Sequence, residues 1–189
     1  AEFPCVSQST PGWTHTLTTD EDGRATLTDI PLGTFTIYES KAPEGYLPSD
    51  ETWSYTVGAD QLGDMGVVEL ESRIPDIPIA FDLEISKFKD YGKSDESGIE
   101  QPADGVVFEV VSNSSQQVVG TLTSNIYGFA STKDLTKAWF GVGERPDGVH
   151  GTIPYDRAGY TVREVANTVP EGFKQTGEWT ITAEQIADG

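Results

Sequence analysis

Cysteine occurs once in these 189 residues, as Cys5, and histidine twice, as His15 and His150. A single thiol makes no disulfide within the chain and no thiolate metal cluster. The two histidines fall in different halves, too far apart for zinc-ligand spacing. No histidine or lysine lies close to Cys5 in sequence, so the thiol reads as a small buried apolar group. Basic residues are scarce: 12 stand against 31 acidic ones, for a net charge of −19. Residues 1–79 carry 14 acids and 3 bases, and residues 80–189 carry 17 and 9. Both halves repel phosphate, which excludes nucleic acid and anionic membrane as partners. No run reaches the roughly 18 apolar residues of a membrane-spanning helix. No leader stands at the start and no anchor motif at the end, and the repeat described below reads the chain as an excised piece. Helical periodicity is almost missing, and no serine stands in a Gly-x-Ser-x-Gly elbow.

What the chain has is alternation, with Gly, Pro and Asp punctuating it every 8–12 residues or so. That pattern predicts an all-β sandwich. Strands are expected at Thr14–Thr19 and Arg24–Thr28, around the turn Asp20-Glu-Asp-Gly23. Further strands follow at Thr34–Glu39, Trp53–Val57 and Val67–Glu71, with a single helical turn at Asp60–Gly63. The turn resembles a calcium loop only faintly, because the ligand ladder is absent. Arg73-Ile-Pro-Asp-Ile-Pro78 reads as an extended linker, since two prolines fix φ. After it, Ile79–Lys89 places Phe81, Leu83, Ile85 and Lys87 on one face, and Asp82, Glu84 and Ser86 on the other. Strands are then expected at Val106–Val111, Gln117–Thr123 and Gly128–Thr132.

The second half repeats the first. Gly33-Thr-Phe-Thr-Ile-Tyr-Glu39, with its Pro43-Glu-Gly-Tyr46 loop, returns as Gly159-Tyr-Thr-Val-Arg-Glu164 with Pro170-Glu-Gly-Phe173. Gly23 matches Gly128, Asp29-Ile30 matches Asp134-Leu135, and Trp53 matches Trp179. Cys5 matches Val110, which supports a buried role for the thiol. The matched tryptophans read as core residues. The repeat divides the chain into two modules, residues 1–77 and 78–189. The second carries an insertion at 136–158 that includes Trp139, Phe140 and Tyr155. Ala1-Glu-Phe3 matches Val106-Val-Phe108, so the first module lacks a counterpart of Ile79–Lys89. The second stops before any counterpart of Val67–Glu71.

Lys87 and Glu164 carry the chemistry. Both lie on strands at positions where alternation aims them inward. A buried charge needs a partner, and burial favours the neutral form of an amine or a carboxyl. A neutral amine beside a protonated carboxyl is a nucleophile beside a proton shuttle. Attack on a neighbouring Asn or Asp carbonyl would join two side chains by an amide. An ordinary ion pair is the plainer reading of the same spacing.

The Thr-Asp-x-x-Gly-x-Ala turn, the Gly-Thr-Phe-Thr-x-x-Glu strand and the Ala-Pro-Glu-Gly-Tyr loop resemble the CnaB-type (SpaA-like) repeats of Gram-positive surface adhesins and pilins. The resemblance covers residues 1–77 nearly end to end, and residues 80–189 apart from the insertion. It implies a prealbumin-like β-sandwich and a self-formed Lys–Asn isopeptide bond. It assigns Lys87 as the nucleophile, with Lys89 the weaker choice because Asp90 opens a turn. Glu164 becomes the catalytic glutamate, and Glu39 its inactive counterpart. The acceptor belongs near the end of a last strand. In the first module that position reads Ser72, which has no carbonyl to attack. In the second it would lie beyond Gly189, and Asn113, Asn125 and Asn167 fall in turns or loops. By this resemblance the modules are stalk or spacer units of a cell-wall-anchored adhesin or pilus-like protein, outside the cell, with neighbouring repeats as partners. No cofactor or metal is implied. The chemistry is single-turnover self-modification, not enzymatic turnover. The alternative is a binding module whose 136–158 loop holds a host glycan or matrix protein, with Trp139 as its contact residue.

Overall fold

The computed structural model describes residues 1–61, 74–90, 100–133, 135 and 137–187. The chain divides into two compact units, Ala1–Ile77 and Pro78–Gly189, and its regular structure is almost wholly β-strand.

In the first unit, alternation produces β1 (Glu2–Ser7), β2 (Thr14–Thr18), β3 (Gly33–Tyr38), the two-residue β4 (Tyr46–Leu47) and β5 (Thr52–Val57). Four of these form one antiparallel sheet in the order β2-β1-β3-β5. Its inner face buries Cys5, Phe35 and Val57, against which Trp13, Leu17, Leu27, Ile30 and Ile37 pack. The expected strand Arg24–Thr28 is irregular instead. The Asp20 carboxylate accepts the amides of Asp22 and Arg24 at 3.0 and 2.9 Å, so the turn closes on itself. Leu27 then reaches the core from outside any ladder. A 3-10 turn at Ala59–Gln61 replaces the start of the expected Asp60–Gly63 turn. Leu62, Gly63, the expected strand Val67–Glu71 and Ser72 lie outside the described residues, as does Asp134.

A short β6 (Ile77–Pro78) spans the boundary between the units. The second unit continues with β7 (Ala80–Phe81), β8 (Glu84–Ser86), β9 (Phe88–Lys89), β10 (Gln101–Pro102), β11 (Val107–Ser112), β12 (Val118–Thr123) and β13 (Phe129–Ser131). After these come β14 (Ala138–Trp139), β15 (Gly143–Glu144), β16 (Ile153–Pro154), β17 (Tyr160–Glu164), β18 (Trp179–Ile181) and α1 (Ala183–Ala187). The main sheet runs β12-β11-β17-β18. The expected single strand Ile79–Lys89 is broken into β7, β8 and β9, because each pairs with a different segment: β16, β13 and β10. Phe81, Leu83 and Ile85 pack on the core while Glu84 and Ser86 are exposed. Asp82 departs from the outward pattern. Its Oδ1 accepts the Thr132 hydroxyl at 2.7 Å and the Thr152 amide at 3.2 Å, which holds it half-buried. The helix was not expected. Its signal is Thr182-Ala-Glu-Gln185, a capping box in which the Gln185 amide donates to Thr182 Oγ1 and the Thr182 amide to Gln185 Oε1. It buries Ile186.

The two main sheets share their internal register. Cys5 faces Ile37 across β1 and β3, as Val110 faces Val162 across β11 and β17. Ile37 faces Trp53, as Val162 faces Trp179. Both Cys5 and Val110 are buried. Trp179 is not a core residue: it is 40 % exposed, because β18 is an outer strand of the sheet, and its ring centroid lies 6.1 Å from that of Phe108. Trp53 is half-buried.

The 136–158 segment is built into the fold of its own unit. Ile153 is fully buried and Phe140 nearly so. The Phe140 ring lies over Gly120 of β12, where an added Cβ would come within 2.2 Å of it. Asp156, 8 % exposed, ties the segment to the β11–β12 hairpin. Its carboxylate accepts the hydroxyl of Ser112 at 2.5 Å, that of Ser114, and the amide of Ala158 at 2.8 Å. Burial raises the Asp156 carboxyl, but these hydrogen bonds outweigh it and the net value is lowered. The neighbouring Tyr160 phenol is pushed up, by burial first and by the Asp156 charge second. A carboxyl lowered on folding contributes stability above its unfolded value and loses it as pH falls through the folded one. The second unit is therefore expected to lose stability below about pH 4. In urea unfolding at a series of pH values, Asp156→Asn should flatten that fall. An unchanged acid dependence in the variant would refute the assignment.

Candidate functional site

Strand alternation and a loop assemble the site. Lys87 lies between β8 and β9, with its amide bonded to Gly128 O at 2.7 Å and its carbonyl to the Ala103 amide at 3.0 Å. Gly128 (φ +79) has to be glycine, since a Cβ there would meet the Lys87 carbonyl at 2.3 Å. Glu164 closes β17, opposite Phe108 in register. The Lys87 Nζ stands 2.5 Å from Glu164 Oε1 and donates to Thr176 Oγ1 at 2.5 Å. The Glu164 side chain is fully buried, while that of Lys87 keeps 15 % of its surface exposed. The other carboxylate oxygen, Oε2, accepts the Thr176 amide at 2.6 Å. A groove of about 220 Å³ opens beside the lysine, lined by Lys87, Phe88, Lys89, Asp90, Pro170, Phe173, Lys174 and Thr176.

Sequence reasoning missed Thr176. Its signal was the hydroxyl residue three positions after each Pro-Glu-Gly-aromatic loop: Ser49 after Tyr46, and Thr176 after Phe173. The two loops close with the same bond, Tyr46 N to Pro43 O and Phe173 N to Pro170 O, both 3.1 Å. Each loop thereby delivers one amide to a glutamate. Ser49 N donates to Glu39 Oε2 at 2.7 Å, matching Thr176 N on Glu164.

The two glutamates differ in the second oxygen. Glu164 Oε1 holds the Lys87 ammonium. Among the described residues Glu39 Oε1 has no hydrogen-bond partner, and the residue is only 6 % exposed. An unpaired buried carboxylate oxygen costs stability. Glu39→Gln keeps an oxygen for the Ser49 amide and removes the charge, so it should stabilise the first unit by about 1 kcal/mol. Glu164→Gln should destabilise the second by about 3 kcal/mol. Amide exchange across β3 and β17 reads both, and a loss of protection in β3 of Glu39→Gln would refute the contrast.

The other candidates lie apart from this centre. Lys89 lines the same groove but makes no ion pair among the described residues. Trp139 sits half-buried on the β14–β15 hairpin, its Nε1 enclosed and without a hydrogen-bond partner among the described residues. Among the described residues no group of His, Cys, Asp and Glu is arranged to hold a metal ion. Cys5 is a free, buried thiol whose pKa burial pushes up.

The SpaA prealbumin-like fold domain family matches residues 1–70. That stretch contains the Glu39 strand and its Pro-Glu-Gly loop, the elements the second unit repeats in the same register. Among solved structures the chain is similar to the Bacillus anthracis TIE protein, at 20 % identity and a TM-score of 0.63, over 96 % of this chain and 27 % of that one. The chain thus spans about a quarter of that protein's length, and the likeness is one of fold. GBS52, the minor pilin of the Gram-positive pathogen Streptococcus agalactiae, aligns at 14 % identity over 95 % of this chain and 76 % of that one, with a TM-score of only 0.34. No curated protein matches the chain. No helix among the described residues is long and apolar enough to cross a membrane. The unit that this family model matches carries Glu39, and the second unit carries Glu164 in the same setting with a lysine against it.

Proposed function

We propose that the chain supplies spacer modules of a surface adhesin or pilus-like protein, and that Lys87, Glu164 and Thr176 form the reactive centre of a self-made cross-link. The observation that supports this is the 2.5 Å contact between the Lys87 Nζ and a fully buried Glu164 oxygen, with the lysine still exposed on the groove side. The Lys87 ammonium passes a proton to Glu164, and the freed amine attacks the side-chain carbonyl of an Asn on an added strand. A C–N bond forms, the C–NH2 bond breaks, and Glu164 carries a proton from the lysine nitrogen to the departing ammonia. Thr176 fixes the carboxylate through its amide and the amine through its hydroxyl. The chemistry is spent after one turnover, which suits a structural module and not an enzyme. A bond joining the two end strands of a module closes nearly the whole domain as one loop, where chain-entropy stabilisation is largest. A stalk that bears load outside the cell benefits from such a tie, and a chain with one cysteine makes none by disulfide.

The test is intact-mass measurement of the chain extended by a strand bearing an Asn. The expected result is loss of the mass of one ammonia, abolished by Glu164→Gln and by Lys87→Met. An unchanged mass in the extended chain would sink the cross-link.

A further inference from the structure

The main sheets of the two units end on matching strands, β2 and β12, each outermost in its sheet. Cys5 faces His15 across the ladder as Val110 faces Gly120. The insertion closes over β12. Gly141 N donates to the Val119 carbonyl at 3.1 Å, and the Phe140 ring lies over Gly120. The β11–β12 register also shifts between Val110 and Val111. The first unit has neither guard: it lacks the insertion, and the pairs from Glu2–Thr18 to Val6–Thr14 run unbroken.

The phase of the ladder shows what β2 leaves open. Ser7 N donates to Trp13 O, and Thr19 N to Ala1 O. Bonded and non-bonded pairs alternate along an antiparallel ladder, so His15 and Leu17 turn their backbone groups to β1. Pro4, which has no N–H to give, accordingly stands opposite Thr16 at a non-bonded pair. The amides and carbonyls of Thr14, Thr16 and Thr18 face the open edge, and among the described residues no backbone group meets them. Thr14-His-Thr-Leu-Thr18 also holds no proline, lysine or acid, the residues that commonly blunt an edge.

This edge is complementary to itself. With a two-fold axis at Thr16, an antiparallel second copy sets Thr16 against the partner's Thr16 and Thr14 against the partner's Thr18. Each such pair exchanges both backbone bonds, and the threonines form a cross-strand row on the outer face. The acidic turn Asp20-Glu-Asp22 follows the strand. The same register sets Asp20 against the partner's Gly12 and Asp22 against the partner's Thr10. A parallel pairing would set the two acidic turns side by side. With 14 acids and 3 bases over residues 1–79, that repulsion selects the antiparallel pair.

We propose that β2 is a self-association edge, pairing antiparallel with β2 of a second copy about Thr16 so that the two sheets run on as one. The edge is independent of the Lys87 centre, and it adds to the spacer role a lateral contact between stalks. A five-residue strand makes a small interface, so single chains pair weakly and arrays of them pair through number.

Sedimentation velocity of the full chain over a concentration series tests this, with amide hydrogen exchange on the same samples. The expected result is a reversible monomer–dimer equilibrium that tightens as salt screens the acidic chains, with protection gained at Thr14, Thr16 and Thr18. Thr16→Pro should weaken the dimer about tenfold, because it removes an outward amide from each copy and none that bonds β1. Thr16→Lys should also weaken it about tenfold, since it sets like charges opposite each other on a side chain that is exposed in the monomer. Exchange protection across β1 and β3, retained in both variants, separates a lost edge from a lost fold. A chain that stays monomeric up to about 1 mM overturns the proposal, as does a dimer that both variants leave unchanged. Open-ended assemblies also overturn it, because a two-fold pairing closes at two copies.

Discussion

Lys87→Met is expected to destabilise the second unit by about 3–5 kcal/mol in the uncross-linked chain. The methionine matches the aliphatic stem but leaves the buried Glu164 carboxylate without its counter-ion, its Oε1 left to the Thr176 hydroxyl at 3.3 Å. In the first unit Glu39 Oε1 shows the more extreme case, buried with no hydrogen-bond partner among the described residues. Removing both charges should recover most of the loss. Lys87→Met with Glu164→Leu leaves an apolar pair of similar volume, and buried ion pairs replaced in this way are often neutral in stability. The amides of Thr176 and Gln175 define what remains, since the Thr176 amide loses Glu164 Oε2 while Gln175 keeps the Glu164 main-chain carbonyl. Urea unfolding of the single and double variants measures this. A single-variant cost below about 1 kcal/mol would place the pair among ordinary surface ion pairs. The same double variant separates stability from chemistry: it should fold, and it should never lose ammonia when extended with an Asn strand.

Much of this was legible in the sequence because alternation is a strong signal where one face of a strand is buried. It marked Lys87 as continuing the apolar face of Phe81, Leu83 and Ile85, and marked Glu164 as an inward acid. The internal repeat then matched Cys5 with Val110 and Glu39 with Glu164, and the two sheets hold these residues in the same register. Three elements were not legible. Arg24–Thr28 alternates like a strand, but whether an alternating segment joins a ladder depends on a neighbour with free backbone groups, and local pattern does not carry that information. Trp179 matches Trp53 in sequence, yet exposure depends on whether anything covers the outer strand. Thr176 acts through its backbone amide as much as through its hydroxyl, and amides leave no mark in a sequence. What could have revealed it was the equal three-residue spacing from each aromatic to Ser49 and Thr176.

Phe108→Ala is expected to cost the second unit about 3–5 kcal/mol. The side chain is fully buried on the central strand β11, within a cluster that includes Val106, Val110, Leu122, Ile153 and Val162. Several of those neighbours sit on strands whose ladders fix them, so the cavity collapses little. Phe108→Leu, nearer in volume, should cost about 1 kcal/mol. Phe3 holds the matching position in the first unit, where the buried cluster among the described residues is Cys5, Phe35 and Val57. Phe3 keeps 9 % of its surface exposed where Phe108 is fully buried, so Phe3→Ala should cost less than Phe108→Ala. The position also matters for the reactive centre, because Phe108 stands directly across the ladder from Glu164. A cavity there frees the glutamate to shift away from Lys87, so Phe108→Ala and Lys87→Met should not add. Their double-mutant cycle is expected to show a coupling of about 0.5–3 kcal/mol. Strict additivity would mean that the core beneath the pair does not position it, and that the register of β17 alone sets the 2.5 Å contact.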